Sequence, residues 1–266
     1  MDCSRYTSSM RNVLSYGIAP AIWVAALIGM STAVAVSSFP TEAIAGVHSA
    51  RRESQRKPVK IPVTPEMIDE AQQRLIDLGY WIGEADGKWG EASRHGLIAF
   101  QKVERRTRTG KLTPDELQAL RTAGRPVARE PGFVHVEIDL PRQVLFIVDA
   151  DGIVSKILPV STGNGKEFTS EGWTRPAVTP TGRFRVYRKI PGWRKSPLGL
   201  LYCPSYIVGG IAIHGNPSVP SEPASHGCIR IPMFAAEEFS NMTPIGTQVI
   251  VHDGSVPAPQ SLPAAH

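Results

Sequence analysis

Residues 211–216 read Ile-Ala-Ile-His-Gly-Asn, and residues 224–230 read Ala-Ser-His-Gly-Cys-Ile-Arg. The apolar run before His214 predicts a strand that carries this histidine to its end. A thiol at its ordinary pKa is only slightly ionised at neutral pH, so a catalytic cysteine needs a base beside it, and His214 could serve Cys228 in this way. A cysteine and a histidine can also be a buried packing pair. The rest of the chain has to separate these two interpretations.

The region around these motifs has the period of β-strands. Apolar side chains alternate with polar ones from Phe133 to Leu140, and again from Val144 to Val148. Residues 149–152 (Asp-Ala-Asp-Gly) predict a hairpin turn, and one short helix is expected over residues 232–241. Further strands are expected at residues 153–160, 182–187, 207–214 and 248–252. Residues 133–253 are therefore predicted to form a mostly β, sandwich-like domain with a short helix.

An upstream region has the period of helices instead. Thr64-Pro65 and Thr113-Pro114 each combine a capping threonine with a proline suited to the first helical turn. Apolar residues recur at helical spacing after the first pair, Gly79 is expected to end that helix, and a further helix carries Phe100. We predict a three-helix domain over residues 64–124 and a linker over 125–132, which makes the fold class α+β.

The N-terminal segment has the features of an export signal. Basic residues precede an uncharged run over residues 12–41, and small residues alternate at 33–35 and 43–45. Residues 1–45 are predicted to be a cleaved signal peptide or an uncleaved signal anchor, which implies an extracytoplasmic location. Membrane contact is expected only through this segment if it is uncleaved. Residues 46–63 form a basic linker, and residues 254–266, rich in Pro, Ala and Ser, are expected to be a disordered tail.

Composition argues against several classes of protein. The 266 residues carry a formal net charge of +5, with much of the excess in residues 51–60. No basic stripe with interleaved aromatic residues accompanies this charge, so nucleic acid is not a predicted partner. The three cysteines, Cys3, Cys203 and Cys228, are too few for a disulfide framework. Cys203 has no histidine nearby in sequence and is predicted to be a packed thiol.

The motifs together resemble the L,D-transpeptidase family. The His-Gly pair at a strand end, the Pro- and Ser-rich loop and Ser-His-Gly-Cys-Ile-Arg resemble the catalytic signature of that family. Residues 179–184 (Thr-Pro-Thr-Gly-Arg-Phe) resemble its strand leading into the active site. The resemblance covers about residues 133–253. It implies that Cys228 attacks the carbonyl of the third-position diamino acid of a tetrapeptide stem, and that His214 accepts the thiol proton and later protonates the leaving D-alanine.

The resemblance also assigns roles to residues around this pair. The Gly215 carbonyl would orient the imidazole, and the amides of Gly227 and Cys228 would stabilise the oxyanion. No metal or organic cofactor is implied, and carbapenem-type β-lactams are expected to acylate the thiol. Pocket and substrate contacts would come from a flap over residues 163–180 and from Ser225, His226, Tyr202 and Arg230. Arg230 would pair with a substrate carboxylate or act as a structural anchor.

The helical region resembles the three-helix peptidoglycan-binding domain. The resemblance rests on Gln-Arg-Leu at 73–75, Leu-Gly-Tyr at 78–80, Ala-Asp-Gly-Lys-Trp-Gly at 85–90, Ala-Phe-Gln at 99–101 and Thr-Gly-Lys-Leu at 109–112. Ser93 stands where the family usually has threonine before the second helix. The resemblance implies that the stem peptides and glycan of peptidoglycan are the partners.

Several other functions remain open at this point. Water as the acceptor would make the protein an L,D-carboxypeptidase, and an amine on another protein would make it an anchoring enzyme. A zinc hydrolase could use His214, His226, Cys228 and His252 as ligands, but no carboxylate lies at a recognisable spacing from them. A non-catalytic wall-binding protein would not need the complete His-Gly and Ser-His-Gly-Cys motifs.

Overall fold

The structure, a computed structural model, describes residues 62–255. The predicted signal or anchor segment, nearly all of the basic linker and most of the tail lie outside the described residues. The four helices of this region match the predicted ones: α1 Pro65–Asp77, α2 Glu91–Val103, α3 Pro114–Thr122 and α4 Met233–Met242. Thr64 and Thr113 cap α1 and α3 as predicted, since their hydroxyls accept from the backbone N–H groups of Met67 and Glu116. No helix in this part of the chain has the length and apolarity to cross a membrane.

Two five-stranded sheets and one hairpin make up the rest of residues 62–255. The first sheet has the order β3-β2-β1-β12-β6; in the second, β11-β10-β9-β7, strand β8 also pairs with β9, and β4 and β5 form the separate hairpin. The strands are β1 His135–Asp139, β2 Val144–Val148, β3 Val154–Pro159, β4 Glu167–Ser170, β5 Trp173–Pro176, β6 Gly182–Arg185, β7 Arg188–Lys189, β8 Trp193–Ser196, β9 Gly199–Val208, β10 Ile211–Gly215, β11 Ile229–Ile231 and β12 Gln248–His252.

One predicted strand is wrong. Residues 207–214 were expected to be continuous, but they are the end of β9 and most of β10, which pair antiparallel. Gly209 and Gly210 form the turn between them, and Gly209 has φ +49°, a conformation that glycine adopts without steric cost. The sequence signal was the Gly-Gly pair itself, which is typical of a two-residue hairpin loop. This turn lies at the edge of the cleft described below.

The two sheets enclose one core, and helix α4 closes its end. Val136 and Leu145 of the first sheet pack with Ile213 and Ile229 of the second, and Phe239 of α4 joins the same cluster. All five side chains are almost fully buried. The predicted sandwich-like α+β fold with a short helix is therefore confirmed.

A second core lies on the other face of the first sheet. There Phe146 and Ile157 pack with Leu75, Phe100 and Leu120 from the three helices. Both faces of β2 are consequently buried, and the polar positions of β1 are buried as well. Buried polar groups need partners. Arg129 and Glu130 lie over this face, and their backbone N–H groups donate hydrogen bonds to the carboxylate of Glu137 at 3.0 and 2.8 Å.

Two basic side chains of the helical region bind the β-rich region directly. Lys102 of α2 is buried, and its Nζ donates to the carbonyl oxygens of Gln143 at 3.0 Å and Val160 at 2.8 Å. Arg108 donates to the carbonyl of Ser221 at 3.1 Å and to the carboxylate of Glu222 at 2.9 Å. The second contact fixes the loop that leads to Cys228.

Candidate active site

The register of β10 and β11 brings the predicted catalytic residues onto one face of the sheet. These strands run parallel, with Ile213 opposite Ile229 and His214 opposite Arg230. Side chains alternate along a strand, so the isoleucines enter the core while His214 and Arg230 point the other way, together with Cys228 just before β11. His214, Cys228 and Arg230 line one cleft of about 650 Å³. That size suits a peptide-like ligand.

The imidazole of His214 is fixed by its own neighbour. Its Nδ1 lies 2.9 Å from the carbonyl oxygen of Gly215. A carbonyl only accepts hydrogen bonds, so Nδ1 carries the proton and Nε2 has a lone pair available. Burial lowers the pKa of His214 to about 4, against the opposing effect of the Gly215 carbonyl, and the positive charge of Arg230 lowers it further. The ring is therefore neutral near pH 7 and can act as a base.

The thiol of Cys228 is also neutral at rest. Burial raises its pKa, and this outweighs the opposing effects of the Ala212 backbone and of Arg230. Its Sγ lies 3.7 Å from the carbonyl oxygen of Gly210, in the turn between β9 and β10. A neutral thiol that shares a cleft with a neutral imidazole differs from a preformed thiolate–imidazolium pair. Proton transfer has to accompany the attack on substrate.

Packing explains why glycine occupies position 215. A Cβ atom there would lie 2.6 Å from the Cβ of Ala236 and 3.2 Å from the Sδ of Met233, both on α4. The orienting group for His214 is the backbone carbonyl, which glycine supplies as well as any other residue would. Close packing of α4 against β10 thus excludes larger side chains from this position.

The loop before Cys228 is held by its own hydrogen bonds. Ser225 Oγ donates to the carbonyl of Cys228 at 2.6 Å and accepts from the N–H of Gly227 at 3.0 Å. The expectation for Gly227 therefore needs correction, because this amide is already bound and is not available to an oxyanion. Gly227 serves through its conformation instead: its φ is +128°, and a Cβ would lie 2.9 Å from the carbonyl oxygen of Val178.

Sequence reasoning missed three residues that support this loop. Thr179 Oγ1 donates to the carbonyl of Gly227 at 2.7 Å and accepts from the N–H of Gly163 at 2.9 Å. The side-chain amide of Gln143 donates to the hydroxyl of Thr162 at 2.7 Å, and its oxygen accepts from the N–H of Thr162 at 2.9 Å. The carbonyl of Thr162 in turn accepts from the N–H of Ser225 at 2.9 Å. Thr179 lay within a motif already singled out, whereas nothing in the sequence marked Gln143 or Thr162.

The predicted flap contains the β4–β5 hairpin. Ser170, Arg175 and Val178 from this segment line the cleft. Phe168 of β4 packs against His226, with 4.7 Å between ring centroids. His226 and Ser225 themselves line the cleft.

Tyr202 does not lie where the resemblance suggested. It packs against the core between the sheets, and its ring lies at a tilt to that of Trp193, with 5.1 Å between the centroids. Its hydroxyl contacts Glu237 of α4 at 3.4 Å, whereas Tyr206 lines the cleft. The two tyrosines would share a face in a regular strand. Cys203 between them has φ +47°, and the pairing of β9 with β10 shifts register here, so the alternation changes. Cys203 is buried, as predicted.

The residues considered as zinc ligands do not form a common cluster. His252, at the end of β12, contacts Arg129 at 3.1 Å and lies 4.0 Å from a carboxylate oxygen of Asp139. Within residues 62–255, no group of three or more His, Cys, Asp or Glu side chains is placed to hold a metal ion.

Comparisons with known proteins match both the helical and the β-rich regions. A family model for the L,D-transpeptidase catalytic domain matches residues 134–251, and one described as a putative peptidoglycan binding domain matches residues 64–120. An L,D-transpeptidase from Xylanimonas cellulosilytica, solved over its residues 123–326, is 40% identical with a TM-score of 0.66. The match covers 71% of this chain and 94% of that chain.

Other solved structures are more distant. An L,D-transpeptidase from Stackebrandtia nassauensis is 20% identical, with a TM-score of 0.41 and coverage of 70% of this chain and 91% of that chain. L,D-transpeptidase 3 from Mycobacterium tuberculosis, solved with a faropenem-derived adduct, is 21% identical, with a TM-score of 0.37 and coverage of 45% and 60%. A search of the curated proteins finds no match.

Proposed function

The chain belongs to the L,D-transpeptidase family, and from this premise we propose that it forms peptidoglycan cross-links through a thioester on Cys228. The observation that carries the proposal is the orientation of His214. Its Nδ1 is fixed by the Gly215 carbonyl at 2.9 Å, which leaves Nε2 as a base in the cleft that holds the thiol.

Acylation would proceed in two steps. The thiol of Cys228 attacks the carbonyl carbon of the third stem residue while its proton passes to Nε2 of His214. The tetrahedral intermediate then collapses, the bond to D-alanine breaks, and the amine of D-alanine leaves with that proton. The neutral resting states of both groups support this sequence, because the thiol brings the proton that the leaving amine requires.

The oxyanion needs backbone donors. Because the Gly227 N–H is bound to Ser225, we assign the stabilising role to the N–H of Cys228 itself, held in place by the bond from Ser225 Oγ to the Cys228 carbonyl. One such donor contributes about 3 kcal/mol to transition-state stabilisation.

Deacylation determines the product. An amine from a second stem attacks the thioester, transfers a proton to His214, and releases Cys228, which recovers a proton. Water in place of the amine would give carboxypeptidase activity, and an amine on another protein would give anchoring. The helical region supports cross-linking within the wall, because it matches a putative peptidoglycan-binding family and would hold the enzyme near its substrate. Its natural location is then extracytoplasmic, reached through the predicted N-terminal signal.

The experiment incubates purified protein lacking residues 1–50 with a disaccharide tetrapeptide that ends in D-alanine, beside the Cys228→Ala variant. Mass spectrometry should find cross-linked dimer with the wild type only. Tripeptide without dimer would instead support the carboxypeptidase alternative. No product from either protein would contradict the enzymatic proposal and favour a wall-binding role.

The same thiol should react with β-lactams. Opening of the lactam ring by Cys228 would leave the ring-opened drug bound as a thioester, and carbapenem-type compounds are the expected class. One equivalent of added mass on the wild type, and none on Cys228→Ala, would establish this reaction.

A further inference from the structure

The cleft around Cys228 is strongly basic. Four of its lining residues are arginines and only one is acidic, Glu171. The arginines are Arg175, Arg188, Arg194 and Arg230. They come from three parts of the fold: the β4–β5 hairpin, the β7–β8 edge and strand β11. A cleft with this balance of charge attracts anions.

These guanidinium groups have no partners among the residues that the structure describes. Among residues 62–255, none of the four lies within 4.0 Å of a carboxylate, and none donates a side-chain hydrogen bond. Some arginines elsewhere in the same region are paired with carboxylates, such as Arg106 with Glu116 at 3.0 Å and Arg142 with Asp139 at 2.7 Å. A guanidinium presents five N–H donors. Those in the cleft remain available for a ligand.

Aromatic rings support two of the arginines from one face. The guanidinium carbon of Arg188 lies 4.1 Å from the ring centroid of Tyr206, and that of Arg175 lies 5.3 Å from the centroid of Phe168. A cation–π contact of this kind restrains the position of a guanidinium and leaves N–H donors free for a further partner. Phe168 is itself packed on His226, beside the nucleophile loop. The two platforms therefore hold donor groups within the same cleft as the thiol.

We propose that Arg175 and Arg188 form an anion-binding subsite that selects donor stems bearing free carboxylates over stems whose carboxylates are amidated. The proposal rests on the proposed function and names its substrate class. A carboxylate offers two oxygens in the plane that matches the guanidinium edge, whereas a carboxamide offers one oxygen and an NH₂ group that would face other donors. Selection between the two groups is therefore built into arginine geometry.

Substitution of Arg230 would not test substrate selection alone. It is the register partner of His214, and its charge influences the pKa values of both His214 and Cys228. A change there would alter the chemistry as well as binding. Arg175 and Arg188 lie on other strands, so their substitution separates substrate selection from thiol reactivity.

The kinetic test uses two disaccharide tetrapeptides that differ only in whether the stem carboxylates are free or amidated. Release of D-alanine reports acylation whichever acceptor follows. The wild type should show kcat/KM about tenfold or more higher for the acidic stem, the effect expected of a charged hydrogen bond. Arg188→Gln and Arg175→Gln should each raise KM for the acidic stem much more than KM for the amidated stem, so that most of the preference is lost. Arg188→Lys, which keeps the charge, should retain part of it.

Lys195→Gln is the matched control. Lys195 is an exposed cation on the same short strand as Arg194, but it does not line the cleft, so its loss should not change the preference. Added salt should reduce the preference of the wild type, because a partly exposed ion pair is screened. Equal kcat/KM for the two stems in the wild type would overturn the proposal. So would Arg→Gln variants that lose activity on both stems equally.

A binding measurement separates this proposal from the catalytic one. Calorimetric titration of Cys228→Ala with each stem needs no turnover and should also show tighter binding of the acidic stem. If this preference is found but the wild type releases no D-alanine, the subsite stands and the proposed reaction fails. If D-alanine is released and Cys228→Ala binds both stems equally, the reaction stands and the subsite is wrong.

Discussion

The Nζ atom of Lys102 lies 2.8 Å from the carbonyl oxygen of Val160, so helix α2 binds the end of the sheet that leads to the nucleophile loop. The same amino group also binds the carbonyl of Gln143. The side-chain oxygen of Gln143 accepts a hydrogen bond from the N–H of Thr162, and the carbonyl of Thr162 accepts one from the N–H of Ser225. A continuous series of hydrogen bonds thus connects the helical region to the loop of Cys228.

Substitution of Lys102 should weaken both stability and activity. Lys102→Met keeps the length of the side chain and leaves two buried carbonyls without this donor, so we expect the free energy of unfolding to fall by about 2 kcal/mol. Urea denaturation measures the loss, and the rate of β-lactam acylation should fall with it. Lys111→Met, at an exposed lysine, is the control and should change neither quantity. An unchanged midpoint for Lys102→Met would contradict the role assigned to this contact.

The contribution of Lys102 to stability should depend on pH. Burial lowers its pKa to about 7, an effect reinforced by Arg108 and opposed by Glu222. The unfolded chain, with the ordinary pKa of 10.5, therefore binds more protons than the folded protein between about pH 7 and pH 10.5. The wild type should gain stability relative to Lys102→Met as pH rises through this window. Urea titrations of both proteins at pH 6 to 10 measure the difference, and a flat or falling difference would refute the assignment.

Acylation of Cys228 should persist at lower pH than a histidine with an ordinary pKa would allow. Because His214 has its pKa lowered to about 4, it stays neutral and able to accept a proton well below pH 6. The rate of β-lactam acylation should therefore hold to about pH 5 and decline only toward pH 4. Stopped-flow measurement of the acylation rate between pH 3.5 and 8 would show where this decline begins. An inflection near pH 6.5 would mean that burial does not shift the imidazole.

The raised pKa of the Cys228 thiol leads to a separate expectation. Without substrate, its alkylation by iodoacetamide should be slow at pH 7 and should keep rising into the alkaline range. Mass spectrometry of the alkylated protein follows the reaction. A plateau of reactivity already reached near pH 7 would indicate a thiolate–imidazolium pair instead.

Gly215 and Ala236 should be coupled. The Cβ introduced by Gly215→Ser would lie 2.6 Å from the Cβ of Ala236, and overpacking of this kind costs about 1–3 kcal/mol. The Ala236→Gly change alone should cost about 1 kcal/mol within a helix. The double variant should be more stable than the sum of the two losses predicts, as thermal or urea denaturation would measure. Strict additivity would contradict the proposed contact.

Thr179 should be needed for the nucleophile loop. Thr179→Val preserves shape but removes the hydroxyl that bonds both Gly227 and Gly163. We expect a loss of about 2 kcal/mol in stability and a slower acylation of Cys228. Thr181→Val, at an exposed position two residues away, provides the comparison. Equal behaviour of the two variants would show that the hydroxyl of Thr179 is dispensable.

The sequence predicted local features well and long-range ones poorly. Capping threonines, helical spacing and the Ser-His-Gly-Cys motif are short patterns, and each corresponds to a feature of the structure. The strand expected over residues 207–214 failed because apolar periodicity was weighed above the Gly209-Gly210 turn. Tyr202 faces away from the cleft because Cys203 adopts a positive φ, which no periodic pattern encodes.

The support of the site was the hardest part to foresee. Lys102 lies near the end of an amphipathic helix, where a lysine usually extends into solvent, and only packing of that helix on the first sheet buries it. Gln143 lies in a turn of ordinary composition, with φ +58°. Both depend on contacts between residues more than 15 positions apart along the chain, as the bond from Lys102 to Gln143 spans 41 positions.

The core shared by the helices and strands β2 and β3 has a consequence for how such proteins can diverge. Phe146 and Ile157 face the helices and would meet water if these were removed. A catalytic half grafted onto another wall-binding segment, by recombination or in the laboratory, would therefore inherit an uncovered apolar sheet. Lineages that exchange or discard the helical half must change those sheet positions to polar residues or supply another cover for them.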